Sequence, residues 1–147
     1  MTTLRFSRGT GIAGWIVRTA TWDEFGHVGF KLNDGTVLDA TPERGVAIHQ
    51  DTDLPGTEYW KIVAPSKTVD AAVEWAKLQV GKPYDWEAIW GMGLRRDWHK
   101  DDKWFCSELI EGAFDHVHWP LIRDSGKLDR ITPRDLTMST RIERILR

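Results

Sequence analysis

The chain has 147 residues, enough for one domain with its own core but not comfortably for two, so we expect a single domain over residues 1–147. Its formal net charge of -2 comes from 20 basic and 22 acidic residues, which argues against the strongly basic surface of a nucleic-acid-binding protein. The N-terminus lacks the apolar core of a signal peptide, and no apolar run approaches the ~20 residues of a membrane span, so we expect a cytoplasmic product with no integral membrane segment.

The first motif in the chain is GTGIAG, residues 9–14, which matches the G-x-G-x-x-G pattern of dinucleotide-binding loops. That pattern indicates a cofactor only where it follows a buried parallel strand in a βαβ unit. Here it follows LRFSR, which is polar and close to the N-terminus, and the segments after it alternate like antiparallel strands. We therefore predict no cofactor, and interpret the glycines as a flexible entry to a short helix across AGWIVRTAT.

The next two segments, HVGFKL and TVLDAT, predict a β-hairpin because apolar residues alternate with period two in both. The loop NDG between them, residues 33–35, favours a three-residue turn with its glycine in the left-handed conformation. That turn places Phe30 opposite Leu38, and the opposite face of the hairpin then carries His27 and Asp39. One face collects the apolar side chains of Val28, Phe30, Leu32, Leu38 and Ala40.

Further strands and helices complete the predicted fold. GVAIHQ and TEYWKIVA are expected to pair and extend the sheet, and KTVDAAVEWAKLQVG predicts a helix with Thr68 as its N-cap. YDWEAIWGMGL predicts a shorter helix, and ITPRDL places Thr132 before Pro133, which is typical of a helix start. The fold class is therefore α+β, with a β-rich first half followed by helices. The core face of the first of these helices comprises Val69, Ala72, Val73 and Ala76.

The segment WFCSELIEGAF, residues 104–114, predicts the helix that matters most for function. Apolar residues recur at positions 106, 109, 110, 113, 114 and 117 and define a core face. Glu108, Glu111 and Asp115 are expected on the other face. The only cysteine of the chain, Cys106, falls in the first turn, and a single cysteine excludes an internal disulfide.

Three residues predict nucleophilic chemistry if the fold brings them together. A thiol attacks as its thiolate, which an imidazolium partner and the positive end of a helix dipole both favour. His27 is the candidate base for Cys106, and Asp39, opposite Gly29 and diagonal to His27, is the candidate carboxylate that orients the ring. Backbone N–H groups at the helix start are candidates for stabilising an oxyanion. The alternative is that Cys106 is a small buried hydrophobe and that His27 and Asp39 are ordinary strand residues.

Five motifs, GHVGF, VLDATPERGV, GKPYDW, WFCSELI and ITPRDL, occur in this order between about residues 24 and 136. The ordered set resembles the circularly permuted papain-like hydrolases related to NlpC-type cell-wall peptidases, among them the YiiX-like proteins. GHVGF resembles the histidine strand of that family, and WFCSELI resembles its nucleophile motif. The resemblance covers most of the chain.

The resemblance implies a permuted papain-like (NlpC-like) fold, with an antiparallel sheet or small barrel packed against helices and the histidine preceding the cysteine in the chain. It implies Cys106 as nucleophile, His27 as general base and Asp39 as orienting partner, although relatives often carry Glu where Asp39 stands. Tyr84 matches a recurrent family tyrosine and is a candidate substrate-binding residue. The alternative for Tyr84 is a core aromatic at a turn.

The implied function is that of a cysteine peptidase or amidase, a thiol hydrolase that cleaves an amide bond in peptidoglycan stem peptides. One alternative is an acyltransferase, thioesterase or lipid-amide hydrolase that uses the same triad on an acyl substrate. The nine tryptophans of the chain suggest a groove suited to either substrate. Another alternative is a non-catalytic structural module of a phage particle or secretion machine, which makes the chain part of a larger assembly and virion-associated or released.

A metal site is the remaining hypothesis, at DHVHW. His116 and His118 are two residues apart, which aligns them on a strand but not on a helix. Zinc also needs three or four ligands. We therefore predict no metal, and expect both histidines to flank the helix end, where positive charge suits the dipole.

Overall fold

An antiparallel sheet with helices packed against it forms the framework of the protein. The computed structural model describes residues 1–9, 11–52, 54–86, 103–122 and 131–145. Within them the strands are β1 Thr3–Ser7, β2 His27–Lys31, β3 Thr36–Thr41, β4 Gly45–Gln50, β5 Glu58–Ile62 and β6 Ile142–Arg144. The helices are α1 Gly11–Thr21, α2 Ser66–Lys77, α3 Cys106–His116 and α4 Pro133–Thr137. The predicted α+β class is confirmed.

Strand β1 lies in the middle of the sheet, although its sequence suggests a polar entry segment. The strand order is β4-β3-β2-β1-β5-β6, and each neighbouring pair is antiparallel. Leu4 and Phe6 point into the hydrophobic core. Arg5 is buried on the other face, where its Nε lies 2.7 Å from Asp51 Oδ1. The polarity of this strand is therefore balanced by a partner that only the folded chain supplies.

The expected pairing of β4 with β5 is wrong, although both segments are strands of the same sheet. Strand β4 pairs with β3, whereas β5 lies between β1 and β6. The outer side of β4 is bonded instead to the chain that follows α2. Val46 N–H donates to Lys82 O and Gly81 N–H donates to Val46 O, both over 2.9 Å. These bonds bring the segment before Tyr84 to the same edge of the sheet.

The hairpin of β2 and β3 has the predicted three-residue turn. Leu32 N–H donates to Thr36 O over 2.9 Å, and Phe30 lies opposite Leu38. Gly35 has a φ of 88°, a left-handed conformation that glycine adopts without steric cost. The register predicted from the turn is confirmed, and with it the division of side chains between the two faces of the hairpin.

The two faces of the sheet differ sharply in character. One, the apolar face, packs against α3, where the ring centroids of Phe30 and Phe114 lie 6.0 Å apart, and α2 packs on α3 in turn. The other, the polar face, carries the charged and imidazole side chains, since residues directly opposite on paired strands share a face. The apolar face includes Leu4, Phe6, Val28, Phe30, Leu38 and Ala40; the polar face includes Arg5, Ser7, His27, Lys31, Asp39 and His49.

The predicted helices are largely confirmed, with one boundary corrected. Helix α1 covers the short helix expected after the glycines, and α2 buries the predicted face of valines and alanines. The N-cap of α2 is Pro65, so the assignment of Thr68 is wrong. Helix α4 begins with a capping box between Thr132 and Asp135. The helix predicted over YDWEAIWGMGL falls mostly on residues 87–94, outside the described residues.

Two acidic residues of α3, Glu108 and Glu111, are enclosed although they lie off its apolar face. Both are buried, whereas Asp115 is exposed. The Glu111 carboxylate accepts backbone hydrogen bonds from Leu121 N–H and Ile122 N–H, each over 3.1 Å. Burial raises the pKa of Glu111, and these two bonds partly oppose that shift. Helix α3 is therefore enclosed on more than its apolar side.

In the described parts of the chain, every helix is too short or too polar to cross a membrane.

Candidate active site

Cys106 is the first residue of α3 and is 1% exposed. Phe105 before it is extended, with φ -87° and ψ 152°, and Trp104 forms a parallel bridge with Tyr84. Trp104 N–H also donates to Pro83 O over 3.2 Å. The chain before α3 is thus tied to the segment that borders β4, which fixes the point at which the helix starts.

His27 and Asp39 form the ion pair that the hairpin register predicts. His27 is the first residue of β2, and its Nε2 lies 2.7 Å from Asp39 Oδ2 on β3. The side chain of His27 is 13% exposed and that of Asp39 is 3% exposed, so both groups are largely shielded from water. Gly29 faces Asp39, and a Cβ there would lie 2.8 Å from Asp39 Cβ. A larger residue at Gly29 would displace the carboxylate.

His27 also contacts Cys106, which joins the three predicted residues in one chain of interactions. Because Nε2 faces Asp39, the other ring nitrogen, Nδ1, is the atom available to the sulfur. Burial opposes the charged ring, but the charge of Asp39 and its hydrogen bond, together with a hydrogen bond to Cys106, raise the pKa of His27 from 6.5 to about 10. The ring is therefore an imidazolium at neutral pH.

The pKa of Asp39 shows the matching effect. Burial by itself would raise it, but the charge and hydrogen bond of His27, and then those of His49, hold the pKa of this carboxyl well below its usual range. Asp39 is therefore ionised wherever the protein is folded near neutral pH. Its constant negative charge is what keeps His27 protonated.

A second histidine, His49, belongs to the same cluster and was not predicted. Its Nε2 lies 3.0 Å from Asp39 Oδ1, the carboxylate oxygen that His27 does not use. His49 lies on β4 opposite Val37, so it is diagonal to Asp39 on the polar face. The alternation of GVAIHQ was the available signal, because Val46 and Ile48 assign His49 to the other face of the strand. Pairing of β4 with β3 was needed to use that signal.

Tyr84, the candidate substrate-binding residue, packs beside Phe105, the residue that precedes Cys106. The tyrosine is 7% exposed, and its ring centroid lies 6.0 Å from that of Phe105. Burial and then the charge of Cys106 raise its pKa far above the usual range, so the phenol stays protonated. A protonated hydroxyl can donate a hydrogen bond to a substrate. The same placement is also compatible with a packing role for the ring.

A cleft of about 470 Å³ borders this cluster. Among the described residues, His27, Asp39, His49 and Tyr84 line it, together with charged side chains such as Arg5 and Arg44. Cys106 is not among the residues that line this cleft, whereas His27 and Tyr84, whose pKa values Cys106 raises, are. The groove lined by tryptophans that the composition suggested is not seen in this cleft among the described lining residues.

The remaining hypothesis for the described residues is a metal site. No three of their His, Cys, Asp or Glu side chains are arranged to hold a metal ion. His116 ends α3 and stacks on Trp75, with ring centroids 5.3 Å apart, while His118 follows the helix with a φ of 56°. These two histidines therefore belong to the end of the helix, as expected.

Neither a family model nor a curated protein matches the sequence. The fold, in contrast, matches a solved structure, that of the metalloprotein yiiX from Escherichia coli O157:H7, DUF1105. The TM-score is 0.76 at 15% sequence identity, and the match covers 99% of this chain and 95% of that one. Across the matched part of the chain, the fold is therefore that of yiiX.

Proposed function

We propose that this protein is a thiol hydrolase of the permuted papain-like type that cleaves an amide bond, with Cys106 as nucleophile, His27 as acid and base, and Asp39 as orienting residue. The single observation that carries the proposal is the position of His27, whose Nε2 lies 2.7 Å from Asp39 Oδ2 and whose pKa is raised by Cys106 as well as by Asp39. A buried histidine with these two partners is the arrangement that nucleophilic thiol catalysis requires. A merely structural cysteine has no need of either partner.

The raised pKa of His27 determines the order of proton transfers. An imidazolium at His27 favours the thiolate, the form in which a cysteine attacks, and it already carries the proton that the leaving amine needs. The sulfur bonds to the carbonyl carbon, and the carbon–nitrogen bond then breaks while His27 gives its proton to the leaving amine. Water next attacks the thioester, His27 takes one of its protons, and the acid is released as the thiolate re-forms.

The oxyanion of the tetrahedral intermediate needs donors near the sulfur. Phe105 is the N-cap of α3, and a phenylalanine side chain cannot cap the first N–H groups. These groups and the positive end of the helix dipole lie beside Cys106. We assign the backbone N–H of Cys106 to the oxyanion, with the Tyr84 hydroxyl as a further donor to substrate.

The substrate class follows from the cleft and from the sequence motifs. The described lining includes charges of both signs, Arg5, Glu43 and Arg44 among them, which suits a peptide that carries polar groups. The ordered motifs and the yiiX-like fold support the permuted papain-like, NlpC-related assignment, in which peptidoglycan stem peptides are typical substrates. We propose an amide bond of such a peptide as the target, reached outside the cytoplasm after release or within a larger assembly.

The protein yiiX is described as a metalloprotein, so a metal ion is the other candidate for this site. Here Asp39 binds both Nε2 atoms, of His27 and of His49, so these donors point at one carboxylate rather than at a common centre. The described residues therefore do not fit a metal site of three or four ligands. The proposed mechanism involves this chain's side chains and water only.

The proposal is tested by the reactivity of the only thiol. Iodoacetamide should alkylate Cys106 rapidly at pH 6.5, and His27→Ala should slow the reaction about a hundredfold, since the variant lacks the imidazolium that stabilises the thiolate. His118→Asn is the matched control, because His118 is exposed and its left-handed φ of 56° suits asparagine. A thiol that reacts equally slowly in wild type and in His27→Ala would indicate a structural module instead.

Substrate class is tested separately. Wild type and Cys106→Ala are incubated with peptidoglycan fragments and with acyl esters, and the products are identified by mass spectrometry. Cleavage of stem peptides by the wild type alone supports the amidase. Hydrolysis of the acyl esters without peptide cleavage would indicate that the same triad acts on an acyl substrate instead.

A further inference from the structure

We propose that His49 is a positioning residue for the reaction, which as a doubly protonated imidazolium holds the Asp39 carboxylate in the orientation that His27 requires. The inference rests on the proposed function, and extends the site from three side chains to four. No feature of the three-residue triad predicts a second histidine on the same carboxylate.

The geometry divides the carboxylate between two rings. Asp39 lies on β3 between β2 and β4, with His27 at 2.7 Å from Oδ2 and His49 at 3.0 Å from Oδ1. Asp39 is 2% exposed, so solvent cannot replace either partner. With both oxygens bound from opposite sides, the carboxylate cannot rotate about its terminal bond without losing a buried hydrogen bond.

The two partners of His49 establish its protonation state. Nε2 faces Asp39 Oδ1 and Nδ1 faces the backbone oxygen of Gln50, each at 3.0 Å. An ionised carboxylate and a carbonyl oxygen can only accept hydrogen bonds, so both ring nitrogens must carry a proton. His49 is therefore a cation when both bonds are formed.

The charges along the cluster then alternate in sign. His49 and His27 are cations on either side of the Asp39 anion. The hydrogen bond and charge of Asp39 raise the pKa of His49 against the opposing effects of burial and of Arg44. Arg5 and Glu43 are the other charged side chains that face His49 across the cleft.

Loss of His49 should therefore have two effects on the reaction. The Oδ1 atom of Asp39 loses its donor, so the carboxylate is freer to turn away from His27. The cluster also loses one positive charge, which makes an anion at Cys106 less favourable. Both effects lower thiol reactivity near neutral pH.

The charge state is tested directly by NMR of protein labelled with 15N at histidine. At pH 7 the His49 ring should show two protonated nitrogens, and in Asp39→Asn it should titrate near the ordinary histidine value. A neutral His49 ring in the wild type at pH 7 would overturn the inference. This measurement needs no substrate and uses the intact protein.

The positioning role is tested by the pH profile of alkylation. At pH 6.5, His49→Ala should react about tenfold more slowly than wild type, and His49→Gln, which can donate a hydrogen bond but has no charge, should fall between them. The difference from wild type should narrow as the pH rises and His49 loses its proton. His118→Asn again serves as the control and should follow the wild type.

The outcomes separate this inference from the proposed function. If His27→Ala slows alkylation while His49→Ala and His49→Gln do not, the hydrolase proposal stands and the role of His49 is overturned. A decrease in the alkylation rate that is the same at every pH would also overturn the role of His49. Such a decrease would indicate a structural defect that does not depend on the charge of His49. If His49→Ala does not fold, His49→Gln and the NMR titration still decide.

Discussion

The two faces of the sheet are stabilised by different interactions, although both belong to the same six strands. The apolar face buries Phe6, Phe30 and Leu38 against α3, and its contribution to folding comes from removing hydrocarbon from water. The polar face buries charges instead, and each is paired: Arg5 with Asp51, and His27 and His49 with Asp39. Buried ion pairs add little net stability because desolvation offsets their attraction. The polar face is therefore where the chain keeps chemically reactive groups in defined positions.

The largest expected effect on stability lies on the apolar side. Phe114 is fully buried on α3 against Phe30, so Phe114→Ala should lower the free energy of unfolding by about 3–5 kcal/mol. Urea denaturation measures this, and alkylation of Cys106 in the folded fraction should change little. Trp22→Ala is the control, because Trp22 is 92% exposed and its loss should be nearly neutral. A large loss of thiol reactivity in folded Phe114→Ala would break the proposed division between the faces.

A smaller effect is expected from a paired charge on the polar face. Asp51 binds Arg5 and Lys31, with 2.7 Å in each pair, and Asp51→Asn leaves both cations without their counterion. We expect a loss of about 2 kcal/mol in the free energy of unfolding, since the cations stay partly buried. Glu74→Gln is the matched control, because its 2.7 Å pair with Lys77 is exposed and should contribute almost nothing. Equal effects of the two substitutions would show that burial does not distinguish the pairs.

The smallest expected effect, taken over one pH unit, is the change of the free energy of unfolding with pH. Because the pKa of His27 rises from 6.5 to about 10 on folding, its pairing with Asp39 stabilises fully below pH 6.5, and this contribution is lost as the pH rises towards 10. The slope due to this one proton cannot exceed about 1.4 kcal/mol per pH unit. The lowered pKa of Asp39 acts in the opposite sense, so its contribution is lost only as the pH falls below the usual carboxyl range.

Urea denaturation between pH 6 and 10 measures that slope. The wild type should lose stability more steeply over this range than His27→Gln, which cannot bind the extra proton. Parallel curves would mean that the His27–Asp39 pair does not bind its proton more tightly in the folded state. The contrast with Phe114→Ala, whose effect should hardly depend on pH, then sharpens the comparison between the faces.

Much of the fold and part of the site could be predicted from local patterns. The hairpin register followed from the turn and from period-two alternation, and these two local signals were enough to place Asp39 beside His27. The helix periodicity placed Cys106 at the start of α3 and identified the buried face of α2. Where local patterns were least informative, as for β1 and for Glu111, a polar residue is buried with a partner that those patterns do not identify. Such residues look like surface residues in a sequence because their partners are not their neighbours in the chain.

The amino-acid sequence by itself determined what depends on short range: turn geometry, strand and helix periods, the cap of α4, and the spacing of His27 from Asp39. Only the tertiary structure decided that β1 lies in the middle of the sheet, that β4 brings His49 to Asp39, and that the start of α3 meets His27. The physical reason is that these contacts join segments far apart in the chain. They form only when the whole hydrophobic core packs, and a short segment of sequence carries no information about that packing.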